Sequence, residues 1–297
     1  MNRWLRRALQ ASVLLLLAGI PALQIWTVGV TTRWAPEELE QRYGPLARPL
    51  VELCARTFGD PPELGGLLTG GIWSIGLGGF ELADPIALAS LLAGLAWPPV
   101  ALLLGGALVL LLHLAFGRLF CGALCPYGAL SRLVSRLRPR FALEGSLPRW
   151  LGFVTLGAVV LAPLVGGSLV SLLPYAAVGL AMQGLVFGGW LGAVLVLGGL
   201  LLSDLLLWEH GVCRSLCPSG ALQSLLGRWR VLRLEPLRKV GCEAHCHLCA
   251  ESCWLGLDPR AGAPDSECDS CGRCIGVCPS SRLVLRVPVR DLPGRPQ

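Results

Sequence analysis

Charge is scarce in this chain. Only 15% of its 297 residues are charged, against about 25% in soluble globular domains, which argues against an ordinary soluble enzyme. Disorder is excluded as well, because 54% of the residues are hydrophobic and disorder requires low hydrophobicity. Lysine is nearly absent: Lys239 stands beside 24 arginines. Histidine is thin, and His113 is the only one inside a long apolar run. A haem bridging two such runs would lack its second axial ligand, so His113 reads as structural. No glycine-rich nucleotide loop, HExxH helix or serine-hydrolase elbow occurs, which leaves those chemistries unsupported.

Apolar runs and cysteine are plentiful. Residues 9–30, 98–117, 150–173 and 189–208 each approach the ~20 helical residues that a hydrocarbon core requires. Trp26, Trp97, Trp150, Trp190 and Trp208 fall at or near their ends, as interfacial aromatics do. The first run exceeds the ~7–15 residues of a signal-peptide core, so it reads as an uncleaved anchor. Arginine is biased: Arg3, Arg6 and Arg7 precede the first run, six arginines lie in 118–149 and eleven follow residue 209. Residues 31–86 instead hold eight acids against four arginines. By the positive-inside rule both termini and the 118–149 loop are cytoplasmic, in a multi-pass protein of the cytoplasmic (inner) membrane. The expected fold is therefore an all-α membrane bundle of four transmembrane helices over residues 1–208, with an outer segment at 31–97. Asp84 followed by Pro85 reads as the capped start of a short outer helix, and Pro174 opens a second one. The basic stretch 132–140 suits topology and anionic lipid better than nucleic acid.

The chain repeats itself at an offset of 92 residues. CGALCPYGALSRL from Cys121 aligns with CRSLCPSGALQSL from Cys213, with eight of thirteen positions identical. The bundle is thus two tandem two-helix units, each ending in C-x3-C-P. Repeats of this kind place sites between copies, so the pairs Cys121/Cys125 and Cys213/Cys217 should approach each other. They could give four thiolates to one metal or cluster, or form two dithiol switches. Residues 209–238 hold the second motif and a linker.

Residues 239–290 carry eight of the thirteen cysteines. Cys268-x2-Cys271-x2-Cys274-x3-Cys278-Pro279 is the bacterial ferredoxin run, whose fourth cysteine ligates the other cluster. Two [4Fe–4S] clusters in a ferredoxin-like α+β domain follow. One takes Cys242, Cys246, Cys249 and Cys278; the other takes Cys268, Cys271, Cys274 and Cys253. The first run departs from the pattern, with a wider first gap and Trp254 in place of proline, which leaves a three-iron cluster or a ligand at His245 or His247 open. Zinc is the alternative metal. Disulfides do not suit a reducing compartment. Cys54 stands alone in the outer segment.

The stretch from Asp204 through WEHGVC to Cys217-Pro218, with both C-x3-C-P motifs and the two-cluster tail, resembles the NapH/MauN family of membrane-bound ferredoxin-type proteins. It is more loosely similar to the membrane cores of the NosR and CcoG proteins. The resemblance implies a quinol dehydrogenase electron-transfer subunit. Such a subunit passes electrons from membrane quinol toward a periplasmic or membrane-associated redox protein. Trp73, Glu81, Asp84 and Asp204 are then the candidate quinone contacts, because quinol deprotonation suits an apolar pocket with a few ionisable groups. Two other readings stay open. One is a copper maturation reductase working through the C-x3-C-P thiols; the other is a membrane anchor for a soluble partner.

Overall fold

Asp84 begins the clearest local structure. Its Oδ1 accepts from the N–H groups of Ile86 and Ala87, both at 2.9 Å, and Pro85 occupies the first helical position. In the computed structural model this cap starts one of a series of helices. The structure describes residues 3–31, 36–43, 47–59, 68–70, 72–77, 80–139, 147–187, 190–231, 233–236, 246–259, 265–279 and 283–286. In chain order the elements begin with α1 (Arg3–Thr31), α2 (Pro36–Tyr43), α3 (Ala47–Phe58), β1 (Leu68–Gly70), β2 (Ser74–Leu77), β3 (Phe80–Ala83) and α4 (Pro85–Ala93). They continue with α5 (Val100–Phe116), α6 (Leu119–Ala123), α7 (Pro126–Val134), α8 (Leu151–Leu161), α9 (Pro174–Phe187), α10 (Trp190–Leu206) and α11 (Pro218–Leu226). The tail holds β4 (Arg233–Pro236), α12 (Leu248–Glu251), α13 (Arg273–Val277) and β5 (Leu283–Arg286).

These lengths overturn the bundle of four transmembrane helices. Among the described residues no helix is both long and apolar enough to cross a membrane. The runs at 98–117 and 189–208 each give 17 helical residues, about 25 Å of rise against a hydrocarbon core of about 30 Å. The run at 150–173 gives an 11-residue helix, then breaks into 3₁₀ turns at Ala162–Val165 and Val170–Leu172. The 29-residue α1 has the length, but it opens on Arg3, Arg6 and Arg7 and contains Gln10, Pro21 and Gln24. Backbone breakers stop the ladders: Gly117 and Gly166 take φ of +60° and +77°, open to glycine at little cost.

A three-stranded antiparallel meander, β1-β2-β3, precedes α4. Its last strand lies hard against α5. A Cβ at Gly105 would stand 1.5 Å from the Glu81 carbonyl oxygen, so only glycine admits this approach. The core gathers Ile86, Tyr127, Val159, Leu173, Tyr175 and Val212 from both halves of the repeat. In the tail, β4 and β5 pair antiparallel, with Arg233 opposite Arg286. Val231 N–H donates to the Ala115 carbonyl at 2.8 Å, and Arg230 donates to the Cys268 carbonyl at 2.8 Å. The tail is thereby tied to the end of α5.

Candidate functional site

The two C-x3-C-P motifs adopt the same local structure. Proline lacks an N–H and disfavours helical backbone in the residue before it, so each helical turn must break at the second cysteine. Cys125 N–H reaches five residues back to the Phe120 carbonyl, and Cys217 N–H reaches five back to Val212, both at 2.8 Å. Cys125 (φ −62°, ψ 117°) then N-caps α7, and Cys217 (φ −71°, ψ 116°) N-caps α11. Each sulfur receives backbone N–H groups from the helix it caps: Tyr127 and Gly128 for Cys125, Ser219 and Gly220 for Cys217. Helix N-termini favour thiolate. Burial nevertheless dominates. It pushes the Cys125 thiol up to about 11 and raises Cys121, Cys213 and Cys217 as well. Thiols in this state stay protonated at neutral pH, and a metal would displace those protons on binding.

The fold brings the two pairs together. Cys213 lies within electrostatic reach of Cys125, Cys217 and Cys121. Arg118 is buried between the copies and donates to the carbonyls of Cys213 (3.1 Å) and Glu267 (3.3 Å). Its positive charge faces Cys121 and Cys217. Among the described residues no three of His, Cys, Asp and Glu converge on a point that a single metal ion could occupy.

In the tail, Cys274 lies close to Cys268, Cys253 and Cys249, and Cys271 lies close to Cys268. The sulfurs of Cys268 and Cys253 receive the N–H groups of Ser270 and Leu257, both at 3.4 Å. Thiols brought together and supplied with backbone donors fit thiolate ligation of an iron–sulfur cluster. No disulfide joins the described cysteines. Cys246 and Cys278 are half-buried, and His247 precedes α12. Cys242 and His245 lie outside the described residues. Trp254 explains its own departure from the ferredoxin pattern. Its indole N–H donates to Asp269 at 2.8 Å, its ring meets His210 edge-on at 5.1 Å, and Arg132 stacks over it at 4.9 Å. Trp254, Leu255 and Leu257 pack against Cys213 and against Cys253, Cys268 and Cys271. One apolar cluster thus touches both the C-x3-C-P core, at Cys213, and the tail cysteines.

Asp204 belongs to a different network. Its Oδ2 accepts from Ser131 (2.6 Å) and Tyr127 (3.0 Å), and its Oδ1 accepts from Val212 N–H (2.9 Å). Ser131 also meets His210 Nδ1 at 2.9 Å. The carboxylate thus anchors the turn that presents Cys213. A counterpart stands in the other copy, where Gln223 bonds His113 (3.1 Å) and Cys121 (3.0 Å). Ser131 and Gln223 occupy the same position of the repeat. In each case a polar residue on the helix after one motif reaches the helix before the other motif.

A cavity of about 560 Å³ opens beside this second network. Its walls are mostly apolar, from α1, β2, β3, α5 and the segments around Phe120. Its polar groups include Asp84, His113, Tyr175, Ser219 and Gln223. Tyr175 donates to Asp84 Oδ2 at 2.7 Å. Of the candidate quinone contacts, Trp73 and Asp84 line the cavity. Glu81 lies on β3 with its carbonyl turned to Gly105, and Asp204 lies in the network described above; neither lines the cavity. Sequence reasoning set His113 aside and passed over Gln223, Tyr175 and Arg118. The repeat alignment held a clue to Gln223, because its position is polar in both copies.

Fold, repeat and thiols together define an iron–sulfur electron-transfer protein of the ferredoxin type. The family described as "4Fe-4S binding domain" matches residues 97–143 and 188–236, once on each copy of the repeat. The ferredoxin-type protein NapH of Escherichia coli is 34% identical over 210 residues, covering 66% of this chain and 72% of that protein. The methylamine utilization ferredoxin-type protein MauN of Methylorubrum extorquens is 34% identical over 184 residues, covering 60% and 62% respectively. The putative electron transport protein YccM of Escherichia coli is 30% identical over 185 residues, covering 57% and 51%. No solved structure matches. The chain belongs to the NapH/MauN family of ferredoxin-type proteins.

Proposed function

We propose that this protein takes electrons from quinol and delivers them toward a periplasmic or membrane-associated redox partner. One observation carries the reading: the apolar cavity with its polar corner is joined to the cysteine core. Gln223 lines the cavity and bonds Cys121, and Cys213 packs on the apolar cluster that touches the tail cysteines. Volume and lining suit a quinone ring, which is apolar with an oxygen at each end. Cys268, Cys271, Cys274 and Cys253 would hold one [4Fe–4S] cluster. Cys242, Cys246, Cys249 and Cys278 would hold another. Cys121, Cys125, Cys213 and Cys217 would hold a further thiolate-bound metal. A bound [4Fe–4S] cluster supplies a one-electron site.

The protein's own residues would bind and orient quinol, keep water from it and fix the thiols. Attachment to the cytoplasmic membrane surface completes the reading. Val100, Leu104, Leu108 and Leu111 form an exposed apolar face along α5, and the arginine-rich segments suit an anionic leaflet. The test is to add a short-chain quinol to anaerobic, oxidised full-length protein and record the electron paramagnetic resonance spectrum. A reduced-cluster signal is expected; an unchanged spectrum would refute the proposal.

A further inference from the structure

We propose that electrons enter the tail at the site of Cys253, Cys268, Cys271 and Cys274, on which the C-x3-C-P core docks, and that Arg118 is a positioning residue that raises the reduction potential of this site above that of Cys242, Cys246, Cys249 and Cys278. This rests on the reading of the tail cysteines as two clusters and deepens it. The two copies of the repeat reach the tail in matched ways. Arg118 and His210 are equivalent across the 92-residue offset, each three residues before its motif, and both are buried. Arg118 donates to the carbonyl of Glu267, the neighbour of Cys268. His210 meets the ring of Trp254, the neighbour of Cys253. Gly122 and Arg214 are equivalent in turn, each inside its motif. A Cβ on Gly122 would stand 2.6 Å from the Asp269 carbonyl oxygen, and one on Gly256 would stand 2.9 Å from the Arg214 guanidinium. The first copy thus grips the segment around Cys268, and the second grips the segment after Cys253. These cysteines come from different runs but serve one cluster. Cys249, of the other site, packs among the tail residues Leu234, Cys274, Ile275 and Leu283. Leu248 and Val277, beside Cys249 and Cys278, are exposed.

The same contacts gather positive charge. Arg118, Arg132 and Arg230 are all buried. Arg230 donates to the Cys268 carbonyl at 2.8 Å, and Arg132 lies 4.0 Å from the Asp269 carboxylate. Two carboxylates stand among them: Glu267 pairs with Arg149, and Asp269 faces Arg132 and Arg118. Reduction adds one negative charge to a cluster, so net charge, hydrogen bonds to the sulfurs and exclusion of water set its potential. A unit charge within ~10 Å, at an effective dielectric constant of ~20, shifts a one-electron equilibrium by on the order of tenfold. Arginine keeps its charge throughout the working range of pH. The N–H groups of Ser270 and Leu257 on the Cys268 and Cys253 sulfurs act in the same direction. Quinol oxidation releases two electrons and two protons. The docked site takes the electrons one at a time, the first moving on to the other site before the second arrives.

The test is a dithionite titration of full-length, anaerobically purified protein, followed by electron paramagnetic resonance. Asp269→Asn marks the signal of interest. It removes a buried negative charge whose Oδ1 accepts from Cys271 N–H at 3.2 Å, and should raise one tail potential by about tenfold in the equilibrium, or about 59 mV for one electron. A signal lost in the Cys121→Ser, Cys217→Ser double variant belongs to the core and is left out of the comparison. In the wild type the marked signal should be the first tail signal reduced. Arg118→Met should lower it by about tenfold, again about 59 mV. Arg118→Lys, which keeps the charge but not the fork, should restore most of that loss, a rescue that a merely structural role would not produce. Iron and sulfide content checks folding. Should Arg118→Met lose its iron, the order of the two tail potentials carries the test. A marked signal that is reduced last, or that Arg118→Met leaves in place, overturns the inference and leaves the cluster reading standing. A wild type without two tail signals overturns both.

Discussion

Replacing Asp204 by alanine tests whether a buried carboxylate holds the second cysteine turn in place. The side chain accepts three hydrogen bonds, from Tyr127, Ser131 and Val212 N–H, at 2.6–3.0 Å. Asp204→Ala leaves all three donors buried without that acceptor. Each orphaned group costs about 1–3 kcal/mol. Ser131 can turn to His210 and Tyr127 to the Leu200 carbonyl at 3.1 Å, which leaves Val212 N–H and the vacated space as the main losses, so about 2–4 kcal/mol is expected in sum. At about 2–4 °C per kcal/mol for a large domain, the melting temperature should fall by on the order of 10 °C, read by circular dichroism under anaerobic conditions. A double-mutant cycle sharpens the test. In Tyr127→Phe one of the donors is already gone, so the double variant should be less destabilised than the two single changes together, by about 1 kcal/mol or more. A shift within about 1 °C for Asp204→Ala, or strict additivity in the cycle, would refute the reasoning.

Gly105→Ala should destabilise the protein by about 1–3 kcal/mol or prevent folding, because its Cβ would meet the Glu81 carbonyl at 1.5 Å. Gly198→Ala, with open space around the same added atom, should be neutral or stabilising by up to about 1 kcal/mol; denaturation curves compare the two. His210 is pushed down to about 4, first by burial and then by Arg132, Arg273 and Arg138. In the unfolded chain it titrates near ~6.5 and so binds its proton first. Stability should therefore fall as pH drops from ~6.5 toward 4, by up to about 3 kcal/mol, and His210→Gln should flatten that slope. Trp254→Phe keeps the stacked ring but deprives Asp269 of its 2.8 Å donor. Hydrogen exchange should rise in residues 246–279, while α5 and α10 stay protected.

The features legible in the sequence were those that local chemistry dictates. Asp84 and Pro85 capped a helix as their residue types require, and the 92-residue repeat reappeared as two cysteine turns with matching backbone angles. The membrane spans failed for an equally physical reason. Hydropathy sums composition along a window and is blind to where the hydrogen-bond ladder stops. At Gly117 and Gly166 it stops early, and Pro163 falls within a 3₁₀ turn. Ionisable character alone also misled the choice of cavity residues. Asp204 is satisfied by its own neighbours, whereas His113, set aside as a lone histidine, lines the cavity and bonds Gln223. Only the packing of one copy of the repeat against the other distinguishes them. Trp254 looked like a flaw in a ligand motif because the motif does not include the surface on which the tail docks.

The central claim is that thiolate-bound clusters in this chain accept electrons from quinol. The most direct measurement combines iron and sulfide quantitation of anaerobically purified full-length protein with a redox-poised resonance titration, quinol being one of the reductants. The account predicts at least about eight iron and eight sulfide per chain, the content of two [4Fe–4S] clusters, with reduced-cluster signals that quinol also elicits. Zinc in place of iron, or clusters that no quinol reduces, would contradict it.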